Sequence, residues 1–124
     1  MEQVNIELAS KIMISLLLFD FLWINFILKD RFFPMVEKVQ KSPFSLNPQA
    51  AVIAYIILFL FIYIFLPKTT SYNEAFLLGF LAYGIYDSTN MATLKDWDMT
   101  TAILDSLWGG VLFTLIKFVI DYKM

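Results

Sequence analysis

"AAVIAYIILFLFIYIFL", residues 50–66, carries no charged side chain. A helix needs about 20 mostly apolar residues, at about 1.5 Å of rise each, to cross a hydrocarbon core. Asn47 and Pro48 suit the start of such a helix and Pro67 its end, so the stretch reads as a membrane span from residue 48 to residue 66. With nothing polar to orient it, it reads as facing lipid on more than one side, its Phe residues filling that surface.

The rest of the chain agrees in composition. Of 124 residues, 60% are hydrophobic and 13 are Phe, far above soluble averages. Mean hydropathy is +0.71. The net charge of −2 offers no basic face for nucleic acid, so that class of partner is excluded and the membrane lipids are the expected surroundings. There is no Cys and no His, which removes disulfides, thiol chemistry, haem ligation by His and the usual zinc sites. No cofactor is expected, and any proton or metal chemistry must rest on carboxylates and neutral oxygens. Glu2 and Glu7 stand where a cleaved signal would carry basic residues, so the first apolar run reads as a retained helix.

Three more segments are long enough to span: about 8–28, 72–94 and 100–120. The expected fold is all-α: one polytopic membrane domain, residues 1–124, of four transmembrane helices in an antiparallel bundle. Ser71-x-x-Glu74 is a capping-box spacing at the start of the third helix, and Asp98 or Thr100 is placed to cap the fourth. The loop from Lys29 to Asn47 mixes Phe32, Phe33, Val36 and Val39 with charges, which fits either an interfacial helix or a polar connector. Lys29, Arg31, Lys38, Lys41 and Lys95 on one side face Lys11, Lys68, Lys117 and Lys123 on the other, too even a split to set the orientation or name the membrane.

Asp20, Asp87 and Asp105 are the informative residues. An acid within a span costs several kcal/mol unless it faces a partner, water or the bundle interior. By count from the loop ends, Asp20 lies about nine residues deep, Asp87 about eight and Asp105 about six, or roughly 8–14 Å at helical rise. All three therefore fall at similar depth near one face, as candidate acid–base or proton-carrying groups. Asp20-x-x-Trp23 and Asp105-x-x-Trp108 repeat one pattern, since residues three apart share a helix face. On the third helix Tyr83, Tyr86, Asp87, Asn90, Thr93 and Trp97 fall within an arc of about 120°. Trp23, Tyr83, Tyr86, Thr89, Asn90, Thr93 and Trp108 are thus the candidate binding residues, while Trp97, near a helix end, reads as an interface anchor. Gly84, Ser88 and Ala92, and likewise Ala102, Ser106 and Gly110, give small-x-x-x-small faces through which the third and fourth helices pack closely or copies of the chain associate.

The chain resembles the uncharacterised domain-of-unknown-function family two-one-seven-seven. The likeness rests on Asp20-x-x-Trp23, on Asn47-Pro48 with Ala51 to Tyr55, on Tyr83-x-x-Tyr86-Asp87-x-Thr89-Asn90-x-Ala92-Thr93-Leu94-x-x-Trp97, and on Asp105-x-x-Trp108-Gly109. It covers nearly the whole chain and implies a four-helix integral membrane protein, without lending an activity, substrate or cofactor. Gly110 departs from the pattern, in which a polar or β-branched residue is more frequent.

Three functions fit these residues. One is a lipid or other apolar small-molecule site, with Asp87 and Asp105 as acid and base and aromatic walls around them. Another is a proton or hard-cation pathway built from oxygen ligands, which in so small a chain requires a homo-oligomer. The third is an assembly subunit whose acids are structural glue, although interhelical hydrogen bonds contribute only about 0.6–2 kcal/mol each. The first is favoured here because aromatics crowd the acids and the acids sit near one membrane face. An opening to lipid between helices would strengthen that reading, and a polar route to the far face would reverse it.

Overall fold

The computed structural model describes residues 5–122, so Glu2 and Lys123, used in the signal and orientation readings, lie outside the described residues. The elements are α1 (Ile6–Trp23), a π-helical turn (Ile24–Leu28), α2 (Lys29–Gln40), α3 (Pro48–Phe65), a 3₁₀ turn (Leu66–Lys68), α4 (Tyr72–Thr93) and α5 (Met99–Asp121). No strand occurs among the described residues.

The helix starts follow local chemistry. Asn5, Asn47, Ser71 and Asp98 each sit in extended conformation and accept a backbone N–H two or three residues into the helix that follows. Of the two candidates for α5, Asp98 is the cap: it takes the Thr101 N–H at 3.0 Å and the Thr101 hydroxyl at 2.8 Å. At α4 the Glu74 carboxylate reaches back past Ser71 to Thr70, whose N–H and hydroxyl both donate at 2.9 Å.

The first helix runs further than the sequence indicated. It does not stop near residue 28 but continues to Gln40, with Pro34 inside α2 and Lys41 closing it at φ 57°. The π turn matters for what α2 presents. One extra residue in a turn sets the helix phase back by about 100°. Leu28, Phe32 and Met35 thereby return to the line of Asp20 and Trp23 rather than drifting round the helix. Phe32 and Met35 then meet Trp97, and the Asp98 N–H points at the Met35 sulfur at 3.0 Å.

Among the described residues, three helices are long and apolar enough to cross a membrane: Ile6–Gln40, Pro48–Lys68 and Met99–Asp121. The 22 residues of α4 are long enough too, but its polar stripe lowers its apolarity. α4 lies antiparallel along α5 in the most extensive contact of the fold. Gly79 and Gly109 meet backbone to backbone, and a Cβ on Gly79 would overlap the Gly109 carbonyl. Gly110 faces the Phe76 ring, where a Cβ would come within 2.6 Å. Of the small-residue faces, Ala102, Ser106 and Gly110 are buried in this contact, whereas Ser88 and Ala92 are exposed.

α1 packs on α5 and on α3. Ile12, Leu16, Ile62, Leu66, Ala75, Leu112, Phe113 and Ile116 form a fully buried apolar core away from the 94–98 turn. Phe59 and Phe61 pack against it, so these two Phe residues of α3 are partly core rather than lipid-facing filler. At the same end Lys117 is buried, its charge met by the Thr69 carbonyl at 3.0 Å and Asp121 at 3.2 Å. The other end of the bundle is built from polar and aromatic groups.

Candidate intramembrane carboxylate site

Asp20 near the end of α1, Asp87 on α4 and Asp105 on α5 converge. The Asp87 and Asp105 carboxyls lie close together, and Asp20 and Asp105 border the same cavity. Asp87 is 1% exposed. Its Oδ1 accepts the Trp97 indole N–H at 3.4 Å, while Oδ2 is buried without a hydrogen-bond partner.

Asp20 is held from two other helices. The Tyr55 hydroxyl of α3 donates to Oδ2, and the Trp108 indole N–H of α5 donates to Oδ1 at 3.3 Å. The two Asp-x-x-Trp patterns therefore cross over: Trp108 serves the acid of the other helix. The rings of Trp23 and Trp108 stack in parallel with centroids 4.8 Å apart. The crossover is incomplete, because Asp105 is turned toward Asp87. The Trp23 N–H is left buried without an acceptor.

Two adjoining cavities reach this cluster. One, of about 380 Å³, is bordered by Asp20, Trp23, Phe32, Tyr55, Tyr83 and Asp105 among others. The second, of about 530 Å³, is a cleft between α3 and α4, running from Ala54, Ile57 and Phe61 across to Ala82, Tyr83 and Tyr86, with Asp105 at its base. Ala54, Leu58, Tyr83, Tyr86 and Asp105 belong to both. α3 and α4 barely touch, which is why the cleft opens between them. Among the described residues no group of three His, Cys, Asp or Glu side chains is arranged to hold a metal ion.

Residues 6–120 match a family model described as "Predicted membrane protein (DUF2177)". The chain belongs to this family. The match and the three long apolar helices make it an integral membrane protein. No curated protein and no solved structure matches the chain.

In this DUF2177 chain the structure gathers Asp20, Asp87, Asp105, Trp23, Tyr83, Tyr86 and Trp108 at the cluster or its cavities. Asn90 is half-buried with its amide toward the Tyr86 phenol. Thr89 and Thr93 stand apart: both are exposed, and the Thr93 hydroxyl bonds to the Thr89 carbonyl of its own helix at 3.1 Å. Trp97 is corrected from interface anchor to interior residue. α4 ends at Thr93, the chain turns through 94–98, and the indole returns 7% exposed between Phe32 and Asp87. Tyr55 is the member of the candidate site that sequence reasoning missed. Its signal was a phenol in mid-span, far from either end where tyrosines usually anchor.

Proposed function

We propose that the chain is a single domain of four membrane spans and that the cleft between α3 and α4 admits a lipid or another apolar small molecule to the carboxylate cluster. The observation that carries this reading is the cleft itself: an apolar opening flanked by two helices and ending at Asp105, Tyr83 and Tyr86. Ligand sites are typically cavities of about 300–1,000 Å³ with apolar walls and a few convergent polar groups, as here. α4 crosses the membrane beside α5, where their glycines meet, and its Asp87 then faces the bundle interior rather than lipid. α2, apolar on the side of Phe32 and Met35 and charged elsewhere, lies at the interface above the cluster.

The conduction reading has less support. Ions need polar groups continuing toward the far face, and beyond the cluster the interior is closed by Ile12, Leu16, Ile62, Phe113 and Ile116. Asp105 at the cleft, with Asp87 packed behind it and Asp20 at the adjoining cavity, equips the site for acid–base chemistry on a bound head group.

The test is photolabelling in lipid nanodiscs with a diazirine-bearing acyl lipid, read by tandem mass spectrometry. Adducts are expected to concentrate at Ala54, Ile57 and Ala82 over the outward-facing Ile53 and Leu107, and to fall when Ala54→Trp fills the cleft. Labelling spread evenly over the lipid-facing surface and indifferent to Ala54→Trp would remove the proposal.

A further inference from the structure

We infer that the molecule taken by this cleft ends in a protonated amine, as in a single-chain amine lipid, whose ammonium N–H donates to Asp105. The inference rests on the lipid-site reading above and concerns which head group the site selects.

Asp105 is the acid that lacks a donor. Its two companions are supplied by the protein: Tyr55 and Trp108 donate to Asp20, and Trp97 donates to Asp87. Among the described residues none donates to Asp105, although it is only 7% exposed and borders both cavities. Buried acceptors are nearly always paired, so a buried carboxyl that lines two cavities without a donor marks the place of a ligand donor.

The surroundings are also one-sided in charge. Asp20 borders the smaller cavity together with Asp105, and Asp87 lies against Asp105, yet no Lys or Arg borders either cavity. The ion pairs among the described residues, Lys11 with Glu7 and Lys117 with Asp121, lie at the opposite end of the bundle. A carboxylate within a span is costly until a cation meets it. Tyr83 and Tyr86 border both cavities and Phe32 and Tyr55 border one, and aromatic faces attract an ammonium as well. A protonated amine brings both the donor and the charge. A hydroxyl donates but leaves the charge unmet, and a trimethylammonium carries the charge with no N–H to donate. A carboxylate or a phosphate, including that of a zwitterionic phospholipid, would lie against like charge.

The experiment measures binding of oleylamine, oleyl alcohol, oleyltrimethylammonium and oleic acid to the purified full chain in phosphatidylcholine nanodiscs at neutral pH, with Ala54→Trp as the blocked control. Oleylamine is expected to bind tightest, about tenfold or more above the alcohol, the worth of a hydrogen bond to a charged group. The trimethylammonium is expected to fall below the amine by a similar factor, and the acid not to saturate. Asp105→Asn keeps the size and an acceptor but removes the charge, and is expected to bring the amine down to the affinity of the alcohol. The four ligands on the unaltered chain decide the matter even where Asp105→Asn disturbs the bundle.

If the alcohol, the trimethylammonium or the acid binds as tightly as the amine, or if a folded Asp105→Asn binds the amine as the parent does, and Ala54→Trp still abolishes binding, the amine inference is overturned while the lipid site stands. Failure of all four ligands to bind saturably, or binding indifferent to Ala54→Trp, overturns the lipid site and the inference with it.

Discussion

Gly109→Ala should be a strongly disruptive single-methyl change, and Gly84→Ala, on the facing helix, should be harmless. A Cβ on Gly109 would lie 2.6 Å from the Gly79 carbonyl oxygen and equally near the Tyr83 ring. Carbonyl and ring are both fixed, the first by the α4 backbone and the second by burial, so α4 and α5 must move apart. Overpacking of this kind costs about 1–3 kcal/mol. At Gly84 the same methyl would meet only the Ser106 hydroxyl, at 3.7 Å, an ordinary contact. There the gain in helix propensity, about 0.5–1 kcal/mol, is free to appear. Gly109→Ala makes the same propensity gain, so the two variants should differ by the overpacking cost alone, about 1–3 kcal/mol. Reversible unfolding in mixed micelles by SDS titration reads the difference directly. Because Tyr83 borders both cavities, Gly109→Ala should also weaken lipid photolabelling at Ala82. Equal stabilities for the two variants would refute the close backbone approach at Gly79 and Gly109.

Two further changes probe other parts of the site. Tyr55→Phe removes one of the two donors to the Asp20 carboxyl and should destabilise the fold by about 0.6–2 kcal/mol, the range for an interhelical hydrogen bond; in the same unfolding assay, no loss of stability would exclude this pairing. Asp98 lies at the turn outside the spans, and the Thr101 hydroxyl and N–H hold its carboxyl below the usual carboxylate range. Its capping contribution is then complete above about pH 4, the unfolded value, and is lost as pH falls through the lower folded value. The stability advantage of the parent over Asp98→Asn should accordingly shrink in acid, and an advantage that grows there would refute the assignment.

Much of the fold was legible because solvent chemistry decides it. A run such as residues 50–66 has no soluble alternative, and an acid in a span must face inward, which drew attention to Asp20, Asp87 and Asp105. The caps at Asn47, Ser71 and Asp98 were legible for the same local reason. What escaped the sequence depended on tertiary placement. Trp97 looked like an anchor because its helix ends before it; only the return of the 94–98 turn under Phe32 and Met35 makes it interior. Thr93 closes the polar arc at its edge and Thr89 lies outside it, about 120° round α4 from Tyr83 at the helical period, so polar residue type alone overstated the site. Tyr55 was hidden in the plainest span of all, since a helix with no polar stripe gives no phase by which to tell its inward residues from its lipid-facing ones.

The π turn at Ile24–Leu28 makes chain length itself a variable of the site. A π turn is an α-helix that has accepted one residue too many, so removing one residue there, Asn25 for instance, restores an unbroken helix rather than breaking it. The spans would survive such a deletion. α2, however, would be turned by about a third of a revolution, carrying Phe32 and Met35 off Trp97 and exposing the indole that bonds to Asp87. Among relatives, a gap of one position at this point should therefore be read as a rotation of everything that follows up to Gln40, and identical aromatic residues on the two sides of such a gap do not occupy equivalent places.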